Sequence, residues 1–335
     1  MNTSTTQVSI VVPLYNEIDN IDPLYKELSM VMADMDYCYE IIFVDDGSVD
    51  GTPEAVRRIS DHDSHVRLVR FRRNFGQTAA MHAGIQHSSG KYVVTMDGDM
   101  QNDPNDIPMM LQHLEDGYDL VHGWRRDRKD HLVRRKIPSR IANWLISRVT
   151  RFPIHDLGCT LKAMRCEVAK ELELYGEMHR FIPILADRIG AKAIEVVTNH
   201  RERQHGVTKY GIDRTIRVVL DLITVRYMQK YFASPMKLFG LAGFATGAVG
   251  CVAVLATVVM KLLSGVDMTG NPMLLLAILS VILSVQFFSL GLLGEVAARI
   301  YFAQHDRKNY YVGELVGFES EEVEPEESLP KLWAA

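Results

Sequence analysis

Hydrophobic and polar positions along the first third of the chain alternate between two periods. Short β-rich runs occur at VSIVV (8–12), EIIFV (40–44), VRLVR (66–70), YVVTM (92–96) and YDLVH (118–122). Between them lie stretches with helical spacing at about 20–35, 52–61, 76–87 and 105–116. Strands that alternate with helices predict an α/β unit with a mostly parallel sheet. Ligands of such sheets sit beyond the carboxyl ends of the strands. The loops after residues 12, 44 and 96 are therefore the expected functional edge.

The pattern changes near the C-terminus. Leu238 to Met260 and Met273 to Gly294 are runs of 23 and 22 residues without a charge. As helices they reach about 33–35 Å, enough for a hydrocarbon core of about 30 Å. Lys261 to Pro272, with Gly265 and Gly270, reads as a tight hairpin between two spans. Lys230 and Lys237 precede the first span, and Arg299, Arg307 and Lys308 follow the second; Lys261 alone lies in the hairpin. The positive-inside rule puts both termini and the N-terminal unit in the cytoplasm, at the inner (plasma) membrane. Met1 to Gln7 is polar and has no apolar signal region.

Two further helical patterns are amphipathic. Ile137, Ile141, Trp144, Leu145 and Val149 share one face, opposite Arg140 and Arg148. Ile216, Val219, Leu220, Ile223, Tyr227 and Tyr231 share another, opposite Arg217 and Asp221. They fit the membrane interface, or packing on the α/β unit or on a neighbouring subunit.

Charge sharpens this picture. The 335 residues carry a formal net charge of −5, but Glu319 to Glu327 alone holds six glutamates. That stretch reads as a solvated tail. His122 to Arg151 holds ten Lys/Arg against two Asp, a basic surface that seeks phosphate. Beside two spans, lipid headgroups fit it better than nucleic acid, for which no motif is present. The four cysteines (Cys38, Cys159, Cys166, Cys251) lie far apart and fit a reducing compartment. The twelve histidines show no metal spacing.

The chemistry concentrates at the strand ends. No GxGxxG follows the first strand, and no GxxxxGK[ST] is present, so dinucleotide and P-loop readings fail. Instead Pro13-Leu14-Tyr15-Asn16-Glu17, Asp45-Asp46-Gly47-Ser48 and Asp97-Gly98-Asp99-Met100-Gln101 each follow a strand. Asp97 and Asp99 at one strand end suit a hard divalent cation such as Mg²⁺ or Mn²⁺, with Gln101 as a further oxygen donor. Asp45 and Asp46 suit hydrogen bonds to a base or ribose. Arg125, Arg126, Arg203 and Lys209 suit phosphate. Arg72 and Arg73 open a helix near Gly76, where a helix start also favours phosphate.

In this combination the chain resembles the inverting glycosyltransferases of family two. Its opening VVPLYNE, its VDDGSVDGT and its MDGDMQ look like that family's motifs. More narrowly, RNFGQ (73–77), DLGCTLKAMR (156–165), RFIPILA (180–186), RERQHGVTKY (201–210) and LLGEVAARIY (292–301) resemble the polyprenyl-phosphate glycosyltransferases. Thr208 stands where that group often has Ser. The resemblance implies a GT-A nucleotide-sugar-binding fold with interfacial helices and two C-terminal transmembrane helices. It divides the chain into a catalytic domain (1–210), a juxtamembrane helix (211–236), a two-span hairpin (237–299) and a tail (300–335). It implies donor binding by Pro13, Tyr15, Asn16, Glu17, Asp45 and Asp46, and by Arg73, Gln77, Asp97 and Gly98. Asp97, Asp99 and Gln101 would hold the cation, and Asp97, Asp99 and Arg203 would carry catalysis. Arg125, Arg126, Arg203 and Lys209 would meet the acceptor phosphate. The partners implied are a UDP- or GDP-sugar, a polyprenyl (undecaprenyl) phosphate, the membrane and further copies of the chain, as a tetramer.

A phosphate monoester is largely dianionic at neutral pH, its second pKa being about 6. No general base is then expected; Asp156, in IHDLGCT, stands where other members of the broad family could place a base, and here it reads as a loop acid. Two other readings remain: a processive polysaccharide synthase, which would need more spans and a QxxRW-type motif, and a non-catalytic membrane anchor, which would have lost the acidic loops.

Overall fold

The computed structural model describes residues 6–126, 154–202, 234–267 and 271–304, with Thr269 and six residues between 224 and 232. Seven strands form one sheet: β1 (Val8–Leu14), β2 (Tyr39–Asp45), β3 (Val66–Arg70), β4 (Tyr92–Thr95), β5 (Leu120–Trp124), β6 (Lys162–Arg165) and β7 (Ala193–Val197). Their order is β3-β2-β1-β4-β6-β5-β7. β6 runs antiparallel to both β4 and β5, and the remaining pairs are parallel. The expected mostly parallel sheet is present. β6 and β7 extend it beyond the five anticipated strands.

Burial on both faces explains why the central strands read as unbroken apolar runs. All seven residues of β1 are buried. Val8, Ile10, Val12, Ile41, Phe43 and Val94 face one core layer. Over it lie α1 (Ile18–Ala33), α2 (Thr52–Ser60) and α4 (Ile107–Glu115). Val11, Ile42, Val44 and Val93 face the other. There α3 (Gln77–His87), α5 (Cys166–Glu171) and α6 (Ile182–Arg188) cover them. In α1 the buried Ile21, Leu24, Leu28 and Met32 recur at helical spacing, so one stripe meets the sheet.

At the amino ends of the strands Glu40, 2% exposed, ties three segments together. Its Oε1 accepts from Ser9 Oγ at 2.5 Å, Ser89 N at 2.7 Å and Ser89 Oγ at 2.8 Å. Arg67 faces its other oxygen at 2.7 Å.

Two long helices, α7 (Met236–Ser264) and α8 (Pro272–Gln304), form the C-terminal hairpin. Gly240, Gly243, Gly250, Ala253 and Thr257 of α7 are buried. Gly243 and Gly250 lie against Phe288, Ser280 and Val281 of α8, and Ser284 Oγ donates to the Gly243 carbonyl at 2.8 Å. The outer surface is large and apolar: Leu241 is 72% exposed, Leu263 81% and Leu293 65%. A soluble core helix would cover such residues, so the pair is a membrane hairpin and the protein a membrane protein. Tyr301 near the end of α8 donates to Glu173 Oε2 at 2.5 Å and meets Phe232 edge-on, joining the hairpin to the α/β unit. The amphipathic pattern at 137–149, most of that at 216–231 and the acidic tail lie outside the described residues.

Glu40→Ala is expected to lower stability by about 1–3 kcal/mol, because it strands the buried hydroxyl donor of Ser9 and removes the acceptor of the exposed Ser89. Denaturant titration of the detergent-solubilised protein measures this. Donor KM should not change, since Glu40 lies at the opposite end of the sheet from the site described next.

Candidate functional site

The carboxyl ends of β1, β2 and β4 meet at a cavity of about 280 Å³. Pro13, Tyr15, Glu17, Asp46, Gln77, Asp97, Gly98 and Asp99 are among its lining residues. The three loops expected at the functional edge thus share one space, joined by the start of α3.

Each loop is fixed by its neighbour. Asn16 adopts a left-handed φ of 54°. Its N–H donates to Ser48 Oγ at 2.9 Å, and its Oδ1 accepts from Val49 N at 3.0 Å. Glu17 N donates to Thr52 Oγ1 at 3.0 Å. The first loop is thereby stitched to the second. Gly47 has φ 73°, and a Cβ there would lie 2.5 Å from the Arg73 backbone, so only glycine fits this DDG turn.

The paired acids of the second loop separate in role. Asp46 lines the cavity and accepts from Phe75 N at 2.7 Å and Gly76 N at 2.9 Å. It holds the entry to α3. Burial raises its pKa, against the pull of those two N–H groups. Asp45 is fully buried and outside the lining. It accepts from Ser48 N at 3.3 Å and faces Arg70 at 3.8 Å. Asn16 and Arg73 also stay outside the lining; the exposed Arg73 stacks on the Phe75 ring at 4.3 Å.

Asp97 and Asp99 stand together at the end of β4. A Cβ at Gly98 would come within 2.4 Å of Leu14 Cδ2, so the glycine lets the two acids share the wall. Gln77 Nε2 donates to Asp97 Oδ1 at 2.5 Å. Burial, then the like charge of Asp99, push Asp97 up to about 6, against Thr160, Arg125 and Lys162. Met100 follows at φ 62°, a left-handed non-glycine residue costing about 1–2 kcal/mol. Gln101 N donates to Asp99 Oδ1 at 3.2 Å.

The donor set suits a divalent cation. Two carboxylates are hard oxygen ligands, and their mutual repulsion falls when a cation sits between them; Gln101, expected as a third donor, is not among the lining residues. Among the described residues no three or more His, Cys, Asp or Glu side chains form a metal cluster. That matches a cation completed by substrate phosphates rather than caged by protein.

A second polar cluster lies behind Asp97. Arg125 donates to Asp156 through Nε at 2.7 Å and through a terminal nitrogen at 3.0 Å. Gly158 N also donates to Asp156, at 3.1 Å. Glu195 anchors the same loop by accepting from the backbone N–H groups of His155 and Asp156. The fully buried Lys162 donates to the Cys159 carbonyl at 2.5 Å, and burial lowers its pKa to about 8. Burial, then the charge of Lys162, push His122 down to about 3. It is therefore neutral, and its Nε2–H donates to the Asp156 carbonyl at 2.5 Å. Lys162, Glu195 and the partner of Asp156 were not apparent in the sequence. Arg126 is exposed just beyond β5, whereas Arg203 and Lys209 lie outside the described residues.

Known proteins resemble this chain. The profile of glycosyl transferase family 2 matches residues 9–173. A dodecaprenyl-phosphate galacturonate synthase of Rhizobium johnstonii is 42% identical over 323 residues, covering 94% of each chain. An undecaprenyl-phosphate 4-deoxy-4-formamido-L-arabinose transferase of Yersinia pestis is 36% identical over 324 residues, 96% of this chain and 97% of that one. Among solved structures, glucosyl-3-phosphoglycerate synthase of Mycobacterium tuberculosis with Mn²⁺, UDP and phosphoglyceric acid superposes at a TM-score of 0.51. It is 21% identical and covers 67% of this chain and 78% of that one, a likeness of fold. Motifs at the strand ends, the sheet with its single antiparallel strand and relatives matched over nearly their whole length agree: the chain belongs to glycosyl transferase family 2, within the group that holds these polyprenyl-phosphate enzymes.

Proposed function

We propose that this membrane glycosyltransferase moves a sugar from a nucleotide sugar to a polyprenyl phosphate, with inversion, at the cytoplasmic face. The Asp97–Asp99 pair in the wall of the strand-end cavity carries this reading. The whole-length relatives, which by name act on polyprenyl phosphates, support the acceptor. The positive flanks of the hairpin support the orientation.

A divalent cation, Mg²⁺ or Mn²⁺, held by Asp97, Asp99 and Gln101, would supply Lewis-acid stabilisation of the leaving diphosphate. The chain's own residues align the two substrates. Tyr15, Glu17 and Asp46 line the donor cavity, and Asp46 keeps the start of α3 beside it. Gln77 fixes one oxygen of Asp97. Arg125, with Arg126 beside it, is the acceptor-phosphate cation. Its fork on Asp156 holds the guanidinium in one orientation. Both oxygens of Asp156 are occupied by Arg125 and Gly158, which makes Asp156 an orienting acid rather than a base. The acceptor dianion needs no proton removed, so the work of the site is alignment and charge management.

The direct test incubates the purified protein with undecaprenyl phosphate and a panel of UDP- and GDP-sugars, including UDP-galacturonate. Mass spectrometry reads the lipid product. A sugar–lipid phosphodiester supports the proposal; free sugar alone, or growing polymer, refutes it.

Asp99→Asn is expected to cut turnover a hundredfold or more, metal stabilisation of a leaving group being several kcal/mol. Full activity in EDTA contradicts this.

Metal affinity should fall at low pH. Asp97 holds its proton up to about 6 when no cation is bound, so the proton competes with Mn²⁺ below that pH. Binding by calorimetry should weaken about tenfold per pH unit there, the signature of one proton released.

Asp156→Asn is expected to raise acceptor KM by loosening Arg125. The acidic limb of the pH–rate profile, set by the acceptor phosphate near about 6, should stay in place. A limb that moves with this variant would restore Asp156 as a base.

A further inference from the structure

The two carboxylates that hold the cation are followed by a strained turn, and something must keep that turn closed. Met100 has φ 62° and a buried side chain. A residue in that conformation persists only where its surroundings over-determine it. The surroundings here are a short segment after β7. Arg201 N donates to the Gln101 carbonyl at 2.9 Å, and Asn102 forms an antiparallel bridge with His200. The side chains then grip the next residue of the loop. Asp103 Oδ1 accepts from the Arg201 guanidinium at 2.7 Å, and Oδ2 accepts from Asn199 Nδ2 at 2.8 Å. The other arm of Arg201 donates to Glu27 Oε2 on α1 at 2.6 Å. Asn199 N donates to Asp106 Oδ2 at 2.8 Å.

Arg201 thus holds both ends of the Gln101–Asp103 tripeptide: one end by its backbone, the other by its guanidinium. Glu27 fixes the guanidinium to the rigid first helix. None of Glu27, Asp103 and Arg201 lines the cavity, so the clamp acts through the loop and not on substrate. Burial alone would raise Asp103. Its hydrogen bonds from Asn105, Asn199 and Arg201 outweigh that and keep it ionised.

We propose that Arg201 is a positioning residue for the divalent cation: its fork between Glu27 and Asp103 sets the geometry of the Asp99–Met100–Gln101 turn and thereby the affinity of the cation site. The proposal rests on the reading of Asp97 and Asp99 as the cation ligands. Outer groups that orient ligands typically change metal affinity by about 10–100-fold when removed. A lysine has one point charge in place of a fork, so it satisfies one of the two acids.

The test is Mn²⁺ titration of the full-length protein in detergent, followed by electron paramagnetic resonance, with Mn²⁺ alone and with UDP added. Wild type, Arg201→Ala, Arg201→Lys, Asp103→Asn and Asp99→Asn are compared well below their unfolding temperatures. The expected result is a Kd about tenfold weaker for Arg201→Ala, with partial recovery in Arg201→Lys and a loss in the same direction for Asp103→Asn. A salt bridge that serves stability alone would lower Tm and leave the Kd at its wild-type value. That outcome, with Asp99→Asn losing Mn²⁺ in the same assay, overturns the clamp and leaves the cation site standing. Wild-type Mn²⁺ binding in Asp99→Asn overturns the cation site and the clamp with it. If Arg201→Ala does not fold, Arg201→Lys and Asp103→Asn decide by the same readout.

Discussion

Two carboxylates forced together at the end of one strand set the terms for the rest of the site. Asp97 and Asp99 repel each other in a partly dehydrated cavity; burial first, and then the charge of Asp99, raise Asp97 to about 6. Such a pair is unfavourable in a folded chain unless the fold holds it by other means. Gln77 from α3 binds one acid. Leu14 packs so close that only a glycine fits between the two. The left-handed Met100 turns the chain immediately afterwards. Each of these belongs to a different loop or helix, so the close approach is a property of the sheet's edge as a whole. A cation bound between the two acids, as proposed, would relieve the repulsion, and the strained turn would hold the pair in place for it.

In the proposed reading, the same sheet edge would separate donor from acceptor chemistry. The first two loops and the start of α3 build a cavity rich in acids and backbone N–H groups. Beyond β4 the antiparallel β6 inserts Lys162, and the Asp156 loop packs against Arg125. Positive charge therefore accumulates on the side where a phosphate nucleophile would arrive, while negative charge lines the side where a cation and a diphosphate would sit. The hairpin is joined to this unit at Tyr301, Glu173 and Phe232, which fixes the catalytic unit relative to the apolar surface of α7 and α8. An acceptor with a lipid tail and a phosphate head matches such a layout.

The five strands and four helices of the first 122 residues were legible because both sheet faces are buried and the helices have one apolar stripe each. The motifs after β1, β2 and β4 were legible because glycine and acids stand out beside apolar runs. β6 was not: KAMR has a lysine at a fully buried position and an arginine at the edge, so its apolar signal is two residues long. Its place depends on pairing with β4 and β5, a long-range choice that no local pattern carries. The division of Asp45 from Asp46 was equally hidden. Adjacent residues of a strand end point to opposite sides, and which side faces the cavity depends on the partner helix. The clamp at Arg201 lay inside a motif singled out for Arg203, because its partners, Glu27 and Asp103, are distant in sequence.

The absence of a free base among these groups follows from where the acids are spent. Asp46 holds the α3 entry, Asp45 its own turn, Asp103 the clamp and Asp156 the Arg125 fork. Asp97 and Asp99 are the proposed cation pair. His122, whose ring meets the Asp156 carbonyl, is held neutral near 3 and donates to it. A transferase acting on a sugar hydroxyl would need one of these groups released to take a proton. An acceptor that arrives already anionic needs none, and these carboxylates can each hold something in place. Among the described residues the pattern of occupied acids fits the phosphate nucleophile that the relatives' names support.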